Sequence, residues 1–215
     1  MTPKTDPTDY RVRPTRRAGV LSAAAPALAL AASLALARPA VAQETPDCTF
    51  QAEGSELTER ASPPDSSSVE LGDGVVKICY GSPRVRGREI FGGLVSYDSP
   101  WRLGANEPTT LHTTIPLSVG GVEVDPGSYA LYAVPGREEW QIAVNAATER
   151  WGIPIDETVM QDDIGRATAP ATSAEESVEA LRITLEPAGE GAARMAIAWA
   201  STRVEVPLRP SGGGM

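Results

Sequence analysis

Three arginines occupy alternate positions in one short segment and give the strongest chemical signal in the chain. Arg84, Arg86 and Arg88 would lie on one side of an extended chain, because side chains alternate between the two faces of a strand. Guanidinium groups bind carboxylate, phosphate or sulfate through two parallel hydrogen bonds. The spacing therefore predicts an anion site. The alternative is that these arginines pair with acidic side chains and hold a long loop in place.

Aromatic and polar residues follow the arginines. Trp101, with Tyr97 and Arg102 near by, would form an aromatic platform with a polar rim, which suits a sugar-like ligand. A tryptophan beside a turn proline also serves as a core anchor, and the sequence leaves both interpretations open. The predicted ligand-binding residues are Arg84, Arg86, Arg88, Trp101, Arg102 and Asn106.

One carboxylate, Glu107, is the best candidate for catalysis. Arg102 would lower the pKa of Glu107, and Asn106 stands next to it, so the three residues could support a hydrolase. A glycosidase would need a second carboxylate about 5–10 Å away, for which Asp98 and Asp163 are the candidates. The alternative is a buried Arg102–Glu107 ion pair that only fixes the loop.

Other catalytic groups are scarce. One histidine and two cysteines cannot build a closed Cys/His zinc site. His112 alternates with Leu111 and Thr113 and is predicted to be an exposed strand residue. The acidic residues between 156 and 163 do not have the spacing of an EF-hand loop. No glycine-rich phosphate loop precedes a helix, so we predict neither a metal nor a cofactor.

Charge and the N-terminal residues bear on location. The chain has 19 Lys and Arg against 28 Asp and Glu, a net charge of −9, which argues against nucleic-acid binding. Arginines precede an uncharged run over Ala18–Ala37, and the small residues 40–42 resemble a cleavage site, so residues 1–42 are predicted to be a signal peptide. The twin-arginine and general secretory routes both fit. We expect a periplasmic or extracellular protein without stable membrane insertion after cleavage.

The two cysteines are expected to pair after export. Cys48 and Cys79 would close a loop of about 31 residues in an oxidising compartment, worth roughly 3–4 kcal/mol on the chain-entropy model. The alternative is two buried thiols. Residues 62–68 have a linker composition, so residues 43–68 are predicted to be a flexible arm. The folded domain would cover residues 69–208, followed by a disordered tail over 209–215.

The folded domain has the pattern of an all-β protein. Its short β-branched runs are separated by turn residues, among 20 Gly and 19 Pro in the whole chain. Strands are predicted at 75–80, 109–117, 128–134 and 140–144, and as a three-strand meander at 178–185, 194–199 and 202–207. Residues 119–122 give a glycine hairpin turn, and only 156–163 fits a helical turn. We expect one antiparallel β-sandwich or flattened barrel of about 7–9 strands with little helix.

Several short motifs occur in a distinctive order along the domain. They include Tyr80-Gly81-Ser82-Pro83, Arg86-Gly87-Arg88, Trp101-Arg102-x-Gly104-Ala105-Asn106-Glu107, Pro126-Gly127-x-Tyr129 and Trp151-Gly152. Together they resemble the bacterial family called domain of unknown function 2911, over about residues 69–208. The resemblance implies an exported β-sandwich whose activity is not established. Ser96 stands where a proline is expected, and the arm that carries Cys48 lies outside the shared region.

Three functions from different classes follow. The leading hypothesis is a non-catalytic binding module that holds a small anionic or sugar-like ligand through the segment Arg84–Glu107. The second is a hydrolase centred on Glu107. The third is a structural or assembly role in the cell envelope, through an exposed sandwich face or the arm. The sequence gives no indication of the oligomeric state.

Overall fold

A computed structural model describes residues 46–51 and 54–212, and within them the chain is almost entirely β. The predicted signal peptide and the last three residues of the predicted tail lie outside the described residues. The strands and helices are β1 Pro64–Leu71, β2 Gly74–Gly81, β3 Thr109–Thr113, β4 Leu117–Val119, β5 Val122–Val124, β6 Gly127–Pro135, β7 Glu139–Asn145, β8 Asp163–Gly189, β9 Ala192–Pro210, α1 Ser55–Thr58 and α2 Glu157–Met160. The predicted all-β fold class is confirmed. In the described part of the chain, neither helix is long and apolar enough to cross a membrane.

The nine strands form one antiparallel sheet that folds over on itself. Its order is β1-β2-β3-β6-β7-β8-β9-β4-β5. Strand β8 pairs with β7 up to Pro170 and with β9 from Ala171 onward, so it passes from one layer to the other. The result is a flattened sandwich that does not close into a barrel.

One layer contains β1, β2, β3, β6 and β7, and the other contains β9, β4 and β5. Side chains at the end of β2, in the first of these layers, form hydrogen bonds with the backbone of β8 in the second. The Tyr80 hydroxyl accepts a hydrogen bond from the backbone N–H of Ile183 at 3.0 Å. The Ser82 hydroxyl donates to the carbonyl of Leu181 at 2.7 Å. These bonds satisfy backbone groups that an open sheet edge would leave unpaired.

The core lies between the two layers. On β7, Trp140, Ile142 and Val144 are all buried, as the alternating pattern predicts. Facing them, Trp199 on β9 is also buried. Apolar side chains from both layers therefore make one continuous core.

The C-terminal strands differ from the predicted meander. Residues 194–199 and 202–207 belong to the single strand β9, which bends at Ala200 instead of turning back. Ala200 has φ of 50°, in the left-handed region, and the register with β8 shifts on both sides of Val178. A local change of backbone direction thus replaces the predicted turn between two strands. As a result, β8 and β9 each continue as one long strand.

Two other boundaries also differ from prediction. β1 begins at Pro64, so the segment with linker composition is partly a strand paired to β2. The predicted strand 109–117 is divided into β3 and β4, which lie in different layers. The predicted glycine hairpin is present between β4 and β5, where Gly120 and Gly121 have φ of 58° and 96°.

Candidate functional site

The long loop between β2 and β3, residues 82–108, is fastened to the edge of β6 near that strand's end. Trp101 and Ala133 exchange two backbone hydrogen bonds, of 2.7 and 2.8 Å. The backbone N–H of Asp98 donates to the carbonyl of Pro135 at 2.8 Å. The sheet therefore fixes the position of Trp101.

Four aromatic rings pack together where this loop meets the core. The rings of Trp101 and Trp199 are stacked, with centroids 5.7 Å apart and planes 15° apart. Trp140 meets Trp101 edge-on at 5.8 Å, and Phe91 lies 4.9 Å from Trp140. Trp140 and Trp199 are buried, so the cluster joins the loop to the core through aromatic contacts.

A cavity of about 300 Å³ opens beside the aromatic cluster. We call it the tryptophan cleft and define it by Leu94, Ile153, Trp101, Trp199, Arg88 and Arg102, which line it. Leu94 and Ile153 are 50% and 54% exposed, so they present apolar surface to solvent. The cleft thus combines apolar walls with two cationic side chains.

Arg102 lines this cleft, and no carboxylate of the described residues forms an ion pair with its guanidinium group. Its Nε donates to the carbonyl of Gly104 at 3.4 Å, and this is its one side-chain hydrogen bond within the described part. Burial lowers the pKa of Arg102, while the negative charge of Glu107 acts in the opposite direction. A half-buried cation without a bonded anion is expensive, so the geometry favours an anionic ligand.

Trp199, which lines the cleft, also carries a donor without an acceptor among the described residues. Trp199 is buried, and its indole Nε1 has no hydrogen-bond partner in the described part of the structure. Buried indole N–H groups usually find a partner. The Nε1 atom is itself buried, so it does not face the cleft, and the cationic donors of the lining are those of Arg88 and Arg102.

The arginine triplet does not follow an extended chain, and the predicted common face for all three is wrong. Arg86 and Gly87 both have positive φ, 50° and 69°, and form a tight turn. The turn is closed by a 3.0 Å hydrogen bond from the N–H of Arg88 to the carbonyl of Val85. The chain reverses between Arg84 and Arg88, which ends the strand alternation on which the prediction depended.

The three guanidinium groups consequently have different surroundings. Arg86 donates to the carbonyl of Ala61 at 3.0 Å, outside the cleft. Arg88 lines the cleft and donates from Nη2 to the carbonyl of Arg84 at 2.6 Å. Of the predicted ligand-binding residues, the cleft brings together Arg88, Trp101 and Arg102, and Arg84, Arg86 and Asn106 are not part of its lining.

Glu107 pairs with Arg60 and not with Arg102. Arg60 Nη1 donates to both carboxylate oxygens, at 2.7 and 3.0 Å, and the backbone N–H of Gln51 donates to Oε1 at 2.9 Å. Burial raises the pKa of Glu107, but these hydrogen bonds outweigh burial and leave the pKa below its usual range. The carboxylate is therefore a fixed structural anion, poorly suited to general-acid work.

The other predicted catalytic partners are also engaged elsewhere. Asn106 has φ of 65° and donates to the carbonyl of Ser62 at 3.2 Å. Asp163 accepts hydrogen bonds from Tyr132 at 2.6 Å and Asn145 at 2.8 Å. Asp163 therefore belongs to a separate hydrogen-bond network. It is not available as the second carboxylate that a glycosidase centred on Glu107 would need.

Tyr97 also stands apart from the cleft lining. The guanidinium carbon of Arg137 lies 4.5 Å from the centroid of the Tyr97 ring, a cation–π contact. Of the predicted platform residues, Trp101 and Arg102 line the cleft, whereas Tyr97 contacts Arg137 instead.

The predicted disulfide is present and fastens the arm to the sheet. Cys48 and Cys79 are bonded, with a Cα–Cα distance of 5.7 Å. Two residues before Cys79 on β2, Lys77 donates from Nζ to the carbonyl of Pro46 at 2.8 Å. The described arm residues thus lie beside β2 and reach the carboxylate of Glu107 through Gln51.

A second cavity, of about 580 Å³, lies under the arm. We call it the arm cavity and define it by Gln51, Glu107, Thr110, His112, Ser128 and Arg150, which line it. His112 is only 8% exposed, so its predicted exposure is wrong. The strand pattern correctly predicts that His112 lies on the outer face of the sheet. That pattern contains no information about the arm, whose residue Gln51 lines the same cavity as His112.

Sequence reasoning also missed Arg60 and Ser128. Arg60 lies in the segment predicted to be a flexible arm, and no local pattern links it to Glu107. Ser128 stands in a predicted strand directly opposite His112, and correct pairing of β3 with β6 was the one signal that could have found it.

Comparison with known proteins identifies a family and no individual relative. The family model described as "Protein of unknown function (DUF2911)" matches residues 62–208. No curated protein and no solved structure matches the chain. Because the family model covers more than half of the sequence, the chain belongs to the DUF2911 family.

Proposed function

We propose that the tryptophan cleft of this DUF2911 protein is a non-catalytic binding site that holds a small organic anion. The observation that carries the proposal is the half-buried guanidinium of Arg102, which no carboxylate of the described residues pairs directly. Arg88 adds a second positive charge to the same lining. A bound carboxylate would neutralise this charge through hydrogen bonds stronger than those between neutral groups.

The lining also supports a ligand with an apolar body. Trp101, Leu94 and Ile153 are among its apolar lining residues, and small-molecule sites are commonly apolar with a few polar groups that fix orientation. The polar side chains of the lining are those of Ser62, Arg88 and Arg102. A neutral sugar would need acceptors for its hydroxyl groups, so these donors favour an aliphatic or aromatic acid over a sugar.

Calorimetric titration with a panel of small ligands tests this proposal. Benzoate and hexanoate are the probes, and glucose and glucuronate represent the sugar-like alternative. We expect an organic acid to bind and to quench tryptophan fluorescence. Arg102→Met should weaken binding by at least about tenfold, because it removes one charge-assisted hydrogen bond. Binding of glucose with no acid binding would contradict the proposal.

A matched pair of arginine variants sharpens the test. Arg88→Ala removes a charge from the cleft lining, whereas Arg86→Ala removes one from the same turn outside the lining. We expect the first variant to weaken acid binding and the second to leave it within about twofold. Equal effects of the two variants would show attraction by general surface charge and would overturn the assignment to the cleft.

A further inference from the structure

A hydrogen-bonded serine and histidine line the arm cavity, away from the proposed ligand cleft. The Oγ of Ser128 lies 2.7 Å from Nδ1 of His112, within hydrogen-bond distance. The two residues are directly opposite each other in the pairing of β3 with β6. Two paired strands fix both Cα positions, so the contact does not depend on a mobile loop.

A third side chain orients the imidazole ring. The Oγ1 of Thr110 lies 3.2 Å from Nε2 of His112. When Nε2–H donates to Thr110, Nδ1 is free to accept the proton of Ser128, which is the arrangement of a general base beside a nucleophile. Burial, followed by the positive charge of Lys77, lowers the pKa of His112, so at pH 7 the ring is in the neutral form, which can accept a proton.

The cavity has room for a small substrate, and its lining includes the charged residues Arg150 and Glu149 as well as Glu107. Ser128 is exposed, and it lines the same cavity of about 580 Å³ as Arg150. The Nη2 atom of Arg150 has no hydrogen-bond partner in the described part of the structure. The charge of Glu107, by contrast, is balanced by Arg60. The Nη2 atom is itself buried, so Arg150 contributes its charge to the lining and not a free donor, and the cavity contains a nucleophile and a base.

From this geometry we infer that Ser128 and His112 form a nucleophile–base pair that hydrolyses small carboxylic esters, an activity separate from ligand binding in the tryptophan cleft. Ser128 Oγ bonds to the ester carbonyl carbon as its proton passes to His112 Nδ1. The carbon–oxygen bond to the alcohol then breaks, and the leaving oxygen takes that proton. Water attacks the acyl-serine through the same base, which releases the acid and returns the proton to Ser128.

Covalent labelling of the full chain gives the most direct test. A fluorophosphonate reacts with activated serines and ordinarily spares unactivated ones, so we expect a single adduct on Ser128, located by peptide mass spectrometry. Ser128→Ala should abolish the adduct. Ser68→Ala is the matched control, because Ser68 is also an exposed serine on a strand, and it should leave the adduct unchanged. An unlabelled Ser128 in the folded protein would overturn the inference.

Turnover of p-nitrophenyl acetate gives a second readout. We expect Ser128→Ala to lower the rate by at least about 100-fold, as loss of a nucleophile does in serine hydrolases. A rate equal to that of the parent chain would show reaction at other surface groups and would contradict the inference. His112→Gln should lower both labelling and turnover. Because His112 is buried, folding of that variant is checked by near-ultraviolet circular dichroism, and Ser128→Ala decides the question if the variant unfolds.

Discussion

The tryptophan cleft and the arm cavity share the loop 102–108 but differ in how their charges are compensated. On the arm side, Glu107 and Arg60 are bonded at 2.7 Å, with side chains only 8% and 15% exposed. On the cleft side, Arg102 is half-buried and has no bonded carboxylate among the described residues. A charge that the fold already neutralises contributes to structure, whereas the unpaired charge of Arg102 is the basis of the proposed anion site. The difference separates two arginines that the sequence alone could not rank.

The largest expected effect comes from detaching the arm. Replacing Cys48 and Cys79 together by alanine should lower the free energy of unfolding by about 3–4 kcal/mol, because the disulfide constrains a loop of 31 residues in the unfolded chain. Urea denaturation measures this loss. Acid binding in the tryptophan cleft should persist in the folded double variant, since the cysteines are not part of its lining. A change in unfolding free energy below about 1 kcal/mol would contradict a structural role for the arm.

The next effect compares the two arginines directly. Arg60→Met should destabilise the fold by about 2–3 kcal/mol, because it leaves the buried carboxylate of Glu107 without its main partner. Arg102→Met should change stability by less than about 0.5 kcal/mol, or increase it, since an uncompensated buried charge is removed. Thermal unfolding of the two variants side by side tests this contrast. Similar losses would show that Arg102 is as structural as Arg60.

A glycine beside Arg102 provides a smaller test. The N–H of Gly152 donates to the carbonyl of Asn106 at 3.1 Å, and an added Cβ would lie 2.7 Å from Cδ of Arg102 and collide with that carbonyl. Gly152→Ala should therefore displace Arg102, cost about 1–2 kcal/mol in stability and weaken acid binding. Calorimetric titration of the folded variant measures the change in affinity. Unaltered affinity would mean that the position of Arg102 does not matter for the cleft.

The smallest expected effect is the pH dependence of stability on the arm side. Burial, followed by the charge of Lys77, lowers the pKa of His112 in the folded protein, so the unfolded chain binds a proton more readily. Stability should then fall as the pH drops below about 6.5, the pKa of an unperturbed histidine, and level off below the folded pKa. His112→Gln should flatten this part of the profile in urea titrations between pH 7.5 and 5.5. A stronger loss below pH 6.5 in the variant would contradict the sign.

Local patterns predicted the fold class better than the strand connections. β-branched runs and glycine turns identify the strands β2, β6 and β7, because the side-chain alternation of a strand is visible in a few residues. The long strands β8 and β9 were not predicted in full. Their bends, at Ala200 and at the register shift beside Val178, depend on two layers sharing the same strands, and no short segment carries that information.

For the candidate site, the sequence identified the loop but not the partners. Trp101, Arg102 and Arg88 were predicted as ligand-binding residues, and the structure places all three on one cleft. The predicted ion pair between Glu107 and Arg102 was wrong. Arg102 is closer to Glu107 in the sequence, but Arg60 is the arginine that bonds Glu107 in the folded protein. Arg60 lies 47 residues away and approaches Glu107 only after the segment before β1 folds back over the loop.

The sequence by itself determined an all-β chain of the DUF2911 family, with a pair of cysteines placed to bond and an arginine- and tryptophan-rich loop that interrupts the strand pattern. These properties depend on residue type and on spacing over a few positions. The tertiary structure alone decided which charges are paired, which arginines share a cleft with Trp199, and that Ser128 bonds His112. Those contacts join segments that are separated in the chain, so they exist only once the strands have paired and the loops have folded onto them.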